Sequence, residues 1–174
     1  MWKKIKERVV YKGWRNMLIR TFKLPDGKTA DFDVVHNGDY VTIAAFTKDK
    51  EAILVRQFRP GPETDLLSFP EGYLDAGELP EAAAQRELAE ETGYRASKII
   101  YQKTFRRAYS TETRISLLAI DCVKIEDQKL DDTEFIDVQL HSLSAFKQLL
   151  KDPNNKQLTT VDSGYLALDY LGWL

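Results

Sequence analysis

Three glutamates, Glu87, Glu90 and Glu91, lie within five residues of one another, directly after Arg86 and downstream of Glu78. Spacings of three and four residues put all three glutamates on one face of a helix. Like charges at these spacings repel by roughly 0.2–0.5 kcal/mol per pair, so folding alone gives no reason to place them together. A bound cation does, because carboxylate oxygens are the ligands that hard divalent ions prefer. The segment therefore predicts a metal site.

A helix must hold these carboxylates, and the sequence predicts one that begins at Pro80 and ends before Gly93. Proline suits a first helical turn, where its missing N–H is not needed, and the alanines and leucine that follow favour a helix. Glycine supplies the C-terminal stop. Upstream, residues 75–77 predict a tight turn, and Gly72 would let the backbone approach a ligand closely.

The whole segment follows a pattern of a glycine, five residues, a glutamate, seven residues and then Arg-Glu-Leu-x-Glu-Glu-x-Gly. This pattern resembles the Nudix box, the signature of hydrolases that act on nucleoside diphosphates linked to another group. Tyr94 departs from the box, where an aliphatic residue is more usual. A solvated acidic helix face is the alternative, but it would require neither the glycines nor the spacing of the first glutamate. The fixed positions are filled by Gly72, Glu78, Arg86, Glu87, Leu88, Glu90, Glu91 and Gly93.

The resemblance implies a set of metal ligands. Glu87 and Glu91 would be the principal ligands, and Glu90 would hold a second ion directly or through water. The backbone carbonyl of Glu71 would be a further ligand. Mg²⁺ is the expected ion, with Mn²⁺ as a substitute, because Mg²⁺ pairs a few carboxylates with substrate phosphates.

Three neighbours of these ligands are expected to orient them. Arg86 would brace Glu90 or Glu78 and hold their rotamers fixed within the catalytic site. Glu78 and Gly72 complete this orienting set. Residues 70–94 carry seven acidic side chains against one basic side chain. Such a segment repels phosphate unless cations intervene, so the electrostatics also require a metal.

The general base is expected in the loop of residues 106–114, where Glu112 is the only carboxylate. Glu112 would be the base or an additional metal ligand. Two alternatives stay open at this point. Glu112 could simply pair with Arg107 or Arg114, and Glu90 could be the base instead.

Residues 55–60, Val-Arg-Gln-Phe-Arg-Pro, resemble the ADP-ribose pyrophosphatase and nucleoside diphosphate sugar hydrolase branch of the family. The resemblance implies that Arg59 contacts the diphosphate or terminal ribose, a role that suits a guanidinium. Arg56 is a weaker candidate for substrate binding. Ser68 replaces the usual glutamate before the box, and residues 109–111 lack the usual proline. These departures favour nucleoside diphosphate sugars in general, including GDP-mannose, over ADP-ribose alone.

Residues 1–45 are more than a minimal Nudix fold needs, and residues 46–174 would form the hydrolase domain. In the nucleoside diphosphate sugar branch such N-terminal strands pair with a second subunit, so the resemblance implies a homodimer. Trp14 could stack on the substrate base across that interface, or it could be a hydrophobic anchor within the dimer.

Composition limits the remaining possibilities. A length of 174 residues with 43% hydrophobic and 30% charged residues indicates a globular chain with a sizeable core. A net charge of −2 does not favour a nucleic-acid partner. The single cysteine, Cys122, is expected in a buried strand. No signal peptide or membrane-length apolar stretch is recognisable, which favours a cytoplasmic enzyme.

The pattern of elements predicts an α/β/α sandwich around a mixed sheet, as in the Nudix fold, with an N-terminal antiparallel strand extension. Asn37-Gly38 predicts a hairpin between the third and fourth strands. The strands are expected at 6–11, 15–23, 29–36, 39–47, 51–59, 97–107, 114–124 and 133–140, and two final helices at 142–151 and 159–171.

The leading hypothesis is a metal-dependent pyrophosphatase that converts a nucleoside diphosphate sugar into a nucleoside monophosphate and a sugar phosphate. A hydrolase of nucleoside triphosphates or dinucleoside polyphosphates is the second hypothesis, and it would need neither the N-terminal strands nor the Arg-Gln-Phe-Arg strand. A non-catalytic nucleotide-sugar sensor is the third, and the intact box argues against it.

Overall fold

A computed structural model describes all 174 residues and divides the chain into two compact units. The first unit comprises Met1–Asp39 and Thr104–Arg114. The second comprises Tyr40–Lys103 and Ile115–Leu174. The first division between the two units thus falls after Asp39, a few residues before the expected one between residues 45 and 46. The assignment of residues 1–45 and 46–174 to separate functions stays a prediction.

An antiparallel sheet of three strands makes up most of the first unit. Its strands are β1 (Lys3–Tyr11), β2 (Asn16–Lys23) and β3 (Thr29–His36), with β2 in the centre. A tight turn joins β2 to β3, in which Gly27 has a φ of 87° and its N–H donates to the carbonyl of Leu24. All nine residues of β1 are exposed, and its outer edge has no strand partner.

A larger sheet organises the second unit. Its central order is β11-β5-β4-β10-β8, while β6 extends β5, β7 extends β4 and β9 pairs with β10. The last residues of β9 and the first of β10 belong to the first unit. The strands are β4 (Tyr40–Thr47), β5 (Ala52–Arg59), β6 (Thr64–Ser68), β7 (Glu71–Tyr73), β8 (Tyr94–Arg95), β9 (Lys98–Arg106), β10 (Thr113–Lys124) and β11 (Ile136–His141), and the helices are α1 (Pro80–Thr92), α2 (Leu143–Lys151) and α3 (Val161–Tyr170).

Helices cover both faces of this sheet. On one face, alternate residues of β4 such as Ile43 pack with Leu88 of α1 in one apolar cluster. On the other face, Phe46 packs with Phe146 of α2 and Leu168 of α3 in a second cluster. Because each face of β4 meets a different helix layer, the strand is apolar along nearly its whole length. The predicted α/β/α sandwich is confirmed.

The predicted hairpin at Asn37-Gly38 is wrong. β3 pairs with β2 in the three-stranded sheet, whereas β4 pairs within the larger sheet. A two-residue hairpin loop of this type needs positive φ at both positions, and neither residue has it. Asn37 instead accepts a hydrogen bond from the backbone N–H of Asn16 at 3.1 Å, which fixes the chain as it leaves β3.

Other expectations are met more closely. Both C-terminal helices lie where the sequence predicts them. Cys122 is buried in β10, and burial raises the pKa of its thiol to about 12. The short strands β6, β7 and β8 are not predicted from the sequence. None of the three helices is long and apolar enough to cross a membrane.

Candidate active site

Helix α1 carries the acidic residues, and backbone constraints fix both of its ends. It begins at Pro80 and ends at Thr92. Gly93, which follows, has a φ of 74° and donates to the carbonyl of Ala89 at 2.8 Å. A Cβ at residue 93 would overlap the carbonyl oxygen of Glu126, so this position needs glycine for space as well as conformation. The Gln128 side chain also donates to the carbonyl of Glu91 at 2.6 Å, so the last turn is held in place.

Arg86 lies at the centre of the acidic face. Its guanidinium donates to both carboxylate oxygens of Glu78, at 3.0 and 2.8 Å. It also donates to Glu87 at 2.7 Å, to Glu90 at 3.1 Å and to the carbonyl of Tyr73 at 3.0 Å. These partners use the fork geometry that lysine could not reproduce. The expected bracing of Glu78 and Glu90 is therefore present in the geometry, and Glu87 is added to it.

The same contacts shift the ionisation of both partners. The hydrogen bonds that Arg86 donates to Glu78, above all, raise the pKa of Arg86, and the same bonds lower the pKa of Glu78. Glu78 also accepts from the backbone N–H of Asp75 at 3.0 Å, which closes the turn before α1. The ion pair thus ties the entry loop to the middle of the helix.

Glu87 packs directly against the backbone of β7. A Cβ on Gly72 would overlap the Glu87 carboxylate, so glycine is the residue that admits this side chain. Burial raises the pKa of Glu87 to about 7, although Arg86 acts in the opposite direction. A carboxylate held in such surroundings gains from a cation that would stabilise its charged form.

Glu91 is the most buried acidic residue of the helix, with 6% of its surface exposed. Its carboxylate accepts a hydrogen bond from the backbone N–H of Glu71 at 3.1 Å. Burial raises its pKa well above the usual range, and the nearby charges of Glu87, Glu134 and Glu71 act in the same direction. The residue that precedes Gly72 is thus in direct contact with the helix, and the role of its carbonyl as a metal ligand stays a prediction.

The acidic face fits a hard divalent cation by its donor type. Glu87, Glu90 and Glu91 offer carboxylate oxygens on one helix face, two of them in surroundings that disfavour an unpaired negative charge. No three acidic, histidine or cysteine side chains converge as a ready metal site in this arrangement. The oxygens that Arg86 contacts on Glu87 and Glu90 are among the donors that a cation would need.

Glu112 belongs to the first unit and is nearly inaccessible, with 4% of its surface exposed. Its Oε1 forms an ion pair with a guanidinium nitrogen of Arg107 at 3.7 Å, which is the alternative pairing that the sequence leaves open, although the distance is too long for a good hydrogen bond. Its Oε2 is buried and has no hydrogen-bond partner. An unsatisfied buried carboxylate oxygen is costly, so this atom fits a role in holding a cation or a water.

The two arginines of β5 lie on opposite faces of the strand. Arg59 shares the parity of Ile53 and Val55, and Ile53 packs with α1, so Arg59 lies on the α1 side of the sheet. Arg56 lies on the other side with Phe58 and forms an ion pair with Asp65 at 2.6 Å. Arg59 is therefore the better candidate of the two to face a substrate at the acidic helix.

Trp14 is 84% exposed and lies between β1 and β2. No described contact assigns it to a base or to a packed core, so both predicted roles stay open.

Sequence reasoning did not single out Glu134. This residue precedes β11, and its negative charge raises the pKa of both Glu87 and Glu91. Its Oε2 accepts from the backbone N–H of Asp131 at 3.2 Å. No motif marks it, because its position depends on how the loop of residues 125–135 returns to α1. Two hydrogen bonds hold this loop, and only the structure reveals them. The N–H of Lys129 donates to the carbonyl of Glu90, and the side chain of Gln128 donates to the carbonyl of Ile136.

The α/β/α sandwich and its acidic helix define a Nudix-type hydrolase fold. A family model described as the NUDIX domain matches residues 36–161, most of the chain. The chain belongs to the Nudix family, and the predicted family and enzyme class are confirmed.

Several known proteins are similar to this chain in sequence or in structure. An ADP-ribose pyrophosphatase from Bacillus subtilis strain 168 is 31% identical over 159 residues, which cover 90% of this chain and 84% of that protein. A methanol dehydrogenase activator from Bacillus methanolicus is 30% identical over 152 residues, which cover 86% and 80% of the two chains. A crystal structure of an ADP compounds hydrolase superposes with a TM-score of 0.83 at 23% identity, covering 99% and 97%, and so shows the same fold.

Proposed function

We propose that the protein hydrolyses the pyrophosphate bond of nucleoside diphosphate sugars in a reaction that depends on a divalent metal. Water would attack one phosphorus, the bridging P–O bond would break, and the products would be a nucleoside monophosphate and a sugar phosphate. The observation that carries the proposal is the carboxylate set of α1, organised by Arg86 in an intact Nudix box. The name of the Bacillus subtilis relative makes ADP-ribose the first substrate to test.

Mg²⁺ is the proposed metal, with Mn²⁺ as a substitute. Glu87 and Glu91 would be the principal ligands, joined by Glu90 and the backbone carbonyl of Glu71. When bound, the metal would neutralise the phosphate oxygens and lower the pKa of the attacking water. Arg86 and Glu78 would orient these ligands, and Gly72 would leave room for Glu87.

Glu112 is the proposed general base or additional ligand. Its buried, unpartnered Oε2 supports this role, because the atom is placed to accept a proton or to hold a cation. Glu134 is the main competitor, because its charge reaches Glu87 and Glu91. Glu90 is a weaker candidate for the base, since it is already bound by Arg86.

Substrate recognition is proposed for Arg59, which lies on the α1 side of the sheet and could bind the diphosphate or the terminal ribose. Arg56 is a less favoured contact, because Asp65 already engages its guanidinium through two hydrogen bonds. Trp14 is proposed to stack on the base, and its large exposed surface is consistent with that role.

A homodimer is proposed through the N-terminal strands. β1 presents an unpaired edge, and Ile5 and Val9 are each about half exposed on it. A long exposed edge strand with apolar side chains is a surface that another chain readily covers. A cytoplasmic location, with neither nucleic acid nor membrane as a partner, completes the proposal.

A panel of substrates at equal concentration, with Mg²⁺ and a coupled phosphatase assay, tests the proposed function. The panel would contain ADP-ribose, GDP-mannose, UDP-sugars, nucleoside triphosphates and dinucleoside polyphosphates. Hydrolysis that prefers ADP-ribose or another nucleoside diphosphate sugar is the expected result. Activity confined to triphosphates or dinucleoside polyphosphates would overturn the substrate assignment while leaving the metal site standing. Tight binding without turnover of any substrate would instead favour a sensor.

A further inference from the structure

The loop that carries Glu112 is tied to the end of β3 on its N-terminal side. Val35 donates to the carbonyl of Tyr109 at 2.9 Å, and its own carbonyl accepts from the N–H of Thr111 at 2.9 Å. The His36 ring, through Nδ1, is hydrogen-bonded to the Thr111 hydroxyl at 2.7 Å. The residue immediately before Glu112 is therefore fixed through both its backbone and its side chain.

The other side of Glu112 is tied to the chain that leaves β3. The N–H of Thr113 donates to a carboxylate oxygen of Asp39 at 2.7 Å, a charge-assisted hydrogen bond. Glu112 itself donates its N–H to the Ser110 hydroxyl at 3.1 Å. Both neighbours of Glu112 thus depend on polar side chains at positions 36 and 39.

The carboxylate of Glu112 is buried but has no close hydrogen-bond partner. Its carboxylate makes only the long contact with Arg107, and its Oε2 has no partner. The position of this carboxylate depends on its packing and on the backbone that carries it. That backbone is held by the bonds with Val35 and Ser110 together with the side-chain bonds of His36 and Asp39. We infer that Asp39 and His36 are positioning residues for Glu112, so that the end of β3 holds a reactive carboxylate in place. This inference rests on the proposed role of Glu112.

Displacement of a reacting group by about 1 Å can lower the rate roughly a hundredfold, so removal of one anchor should have a measurable effect. Asp39→Ala is expected to lower kcat roughly tenfold with little change in KM. This is less than the roughly hundredfold loss for a displacement of about 1 Å, because the other bonds of the loop remain. Asp39→Asn keeps an acceptor oxygen for the Thr113 N–H and should recover most of the lost rate. His36→Ala should lower kcat in the same direction. Asp26→Ala is the matched control, because Asp26 also accepts a backbone N–H, from Lys28 at 3.0 Å, in the turn after β2.

Hydrogen exchange and a double-variant comparison separate positioning from general destabilisation. Faster exchange at the amides of residues 111–113 is expected in Asp39→Ala, with exchange elsewhere and the melting temperature near those of the unaltered protein. In a Glu112→Gln background, Asp39→Ala should cause little further loss of kcat, because the residue it positions is already inactive.

The outcomes distinguish the inference from the function on which it rests. If Glu112→Gln lowers kcat and Asp39→Ala does not, the positioning role is wrong and the role of Glu112 stands. An equal further loss from Asp39→Ala in the Glu112→Gln background would show that Asp39 acts elsewhere, which also overturns the inference. Full activity of Glu112→Gln would overturn both the proposed role of Glu112 and the positioning role of Asp39 and His36. Should Asp39→Ala fail to fold, the same comparisons made with Thr111→Val, which lacks the hydroxyl that bonds His36, decide the question.

Discussion

Gly72 lies so close to the Glu87 carboxylate that a single Cβ at position 72 would occupy the same space. The glycine is in strand β7, and its backbone φ is not one that disfavours other residues. Position 72 therefore needs glycine for space and not for backbone conformation, and the group that occupies this space is the Glu87 carboxylate, a proposed metal ligand. This relationship links a residue of the strand to the chemistry of the helix.

Gly72→Ala should fold but displace Glu87. Because the backbone conformation accepts alanine, the main consequence is a ligand moved from its position, and kcat/KM should fall roughly a hundredfold. Affinity for Mn²⁺, measured by calorimetry, should fall in parallel. Gly61→Ala is the control, since a Cβ there meets nothing within 4 Å. Unchanged metal affinity in Gly72→Ala would contradict the assignment of Glu87 as a ligand.

Glu91→Gln should abolish most turnover without unfolding the protein. The substitution keeps an acceptor for the Glu71 N–H but removes the charge that a metal needs. It also relieves the cost of a buried carboxylate, so the metal-free variant should melt at a higher temperature than the unaltered protein at pH 8. Glu81→Gln, in the exposed first turn of α1, should change neither property. Near-normal kcat in Glu91→Gln would refute the metal assignment.

The metal-free protein should lose stability as the pH rises from 5 to 8. The pKa of Glu87 is about 7 in the folded protein against an ordinary 4.5, so the folded state binds more protons between these values. Its contribution to stability is full below 4.5 and is lost as the pH rises through about 7, at about 1.4 kcal/mol per pKa unit.

Thermal unfolding in EDTA across this pH range tests the expectation. The Glu87→Gln variant should show a shallower decline than the unaltered protein, and the difference between the two curves isolates Glu87 from other titrating groups. Saturating Mn²⁺ should raise the melting temperature more at pH 8 than at pH 5. Parallel curves for the two proteins would mean that Glu87 titrates at its ordinary pKa.

The sequence predicts the parts of the fold in which local signals agree with tertiary packing. Pro80 and Gly93 mark α1 correctly because a first-turn proline and a left-handed C-terminal glycine act locally. The hairpin at Asn37-Gly38 fails because a turn signal cannot report which sheet the next strand joins. β4 is buried on both faces of the larger sheet, and that burial outweighs the local preference.

The candidate site follows the same rule. Glu87, Glu90 and Glu91 lie on one helix, so their proximity can be predicted from spacing. The contact between Arg86 and Glu78 lies across the entry turn and is expected only from the resemblance to the Nudix box. Glu134 is more than 40 residues beyond Glu91, and its approach to the helix depends on a loop whose anchor, Gln128, has no sequence signature. The anchors of Glu112 at His36 and Asp39 are likewise more than 70 residues away in the chain.

Glu112→Gln should lower kcat more than Glu134→Gln does, if Glu112 carries the base. Loss of a general base lowers the rate by a factor of about 10²–10⁴, so the kcat values of the two variants should differ clearly. The pH profile of kcat/KM should lose its acidic limb in the variant that lacks the base. Glu63→Gln, an exposed glutamate between β5 and β6, is the control. The opposite order of effects would transfer the base role to Glu134.

The protein should be a dimer in solution at twice the monomer mass of 20.0 kDa. Charge placed on the apolar residues of β1 should disrupt the dimer, because these residues are exposed along an unpaired edge. Val9→Lys is therefore expected to give a monomer in light scattering coupled to size-exclusion chromatography. Val123→Lys, at a β10 position of similar exposure, should remain dimeric. A monomeric unaltered protein would exclude this interface, and a dimeric Val9→Lys would place it on another surface.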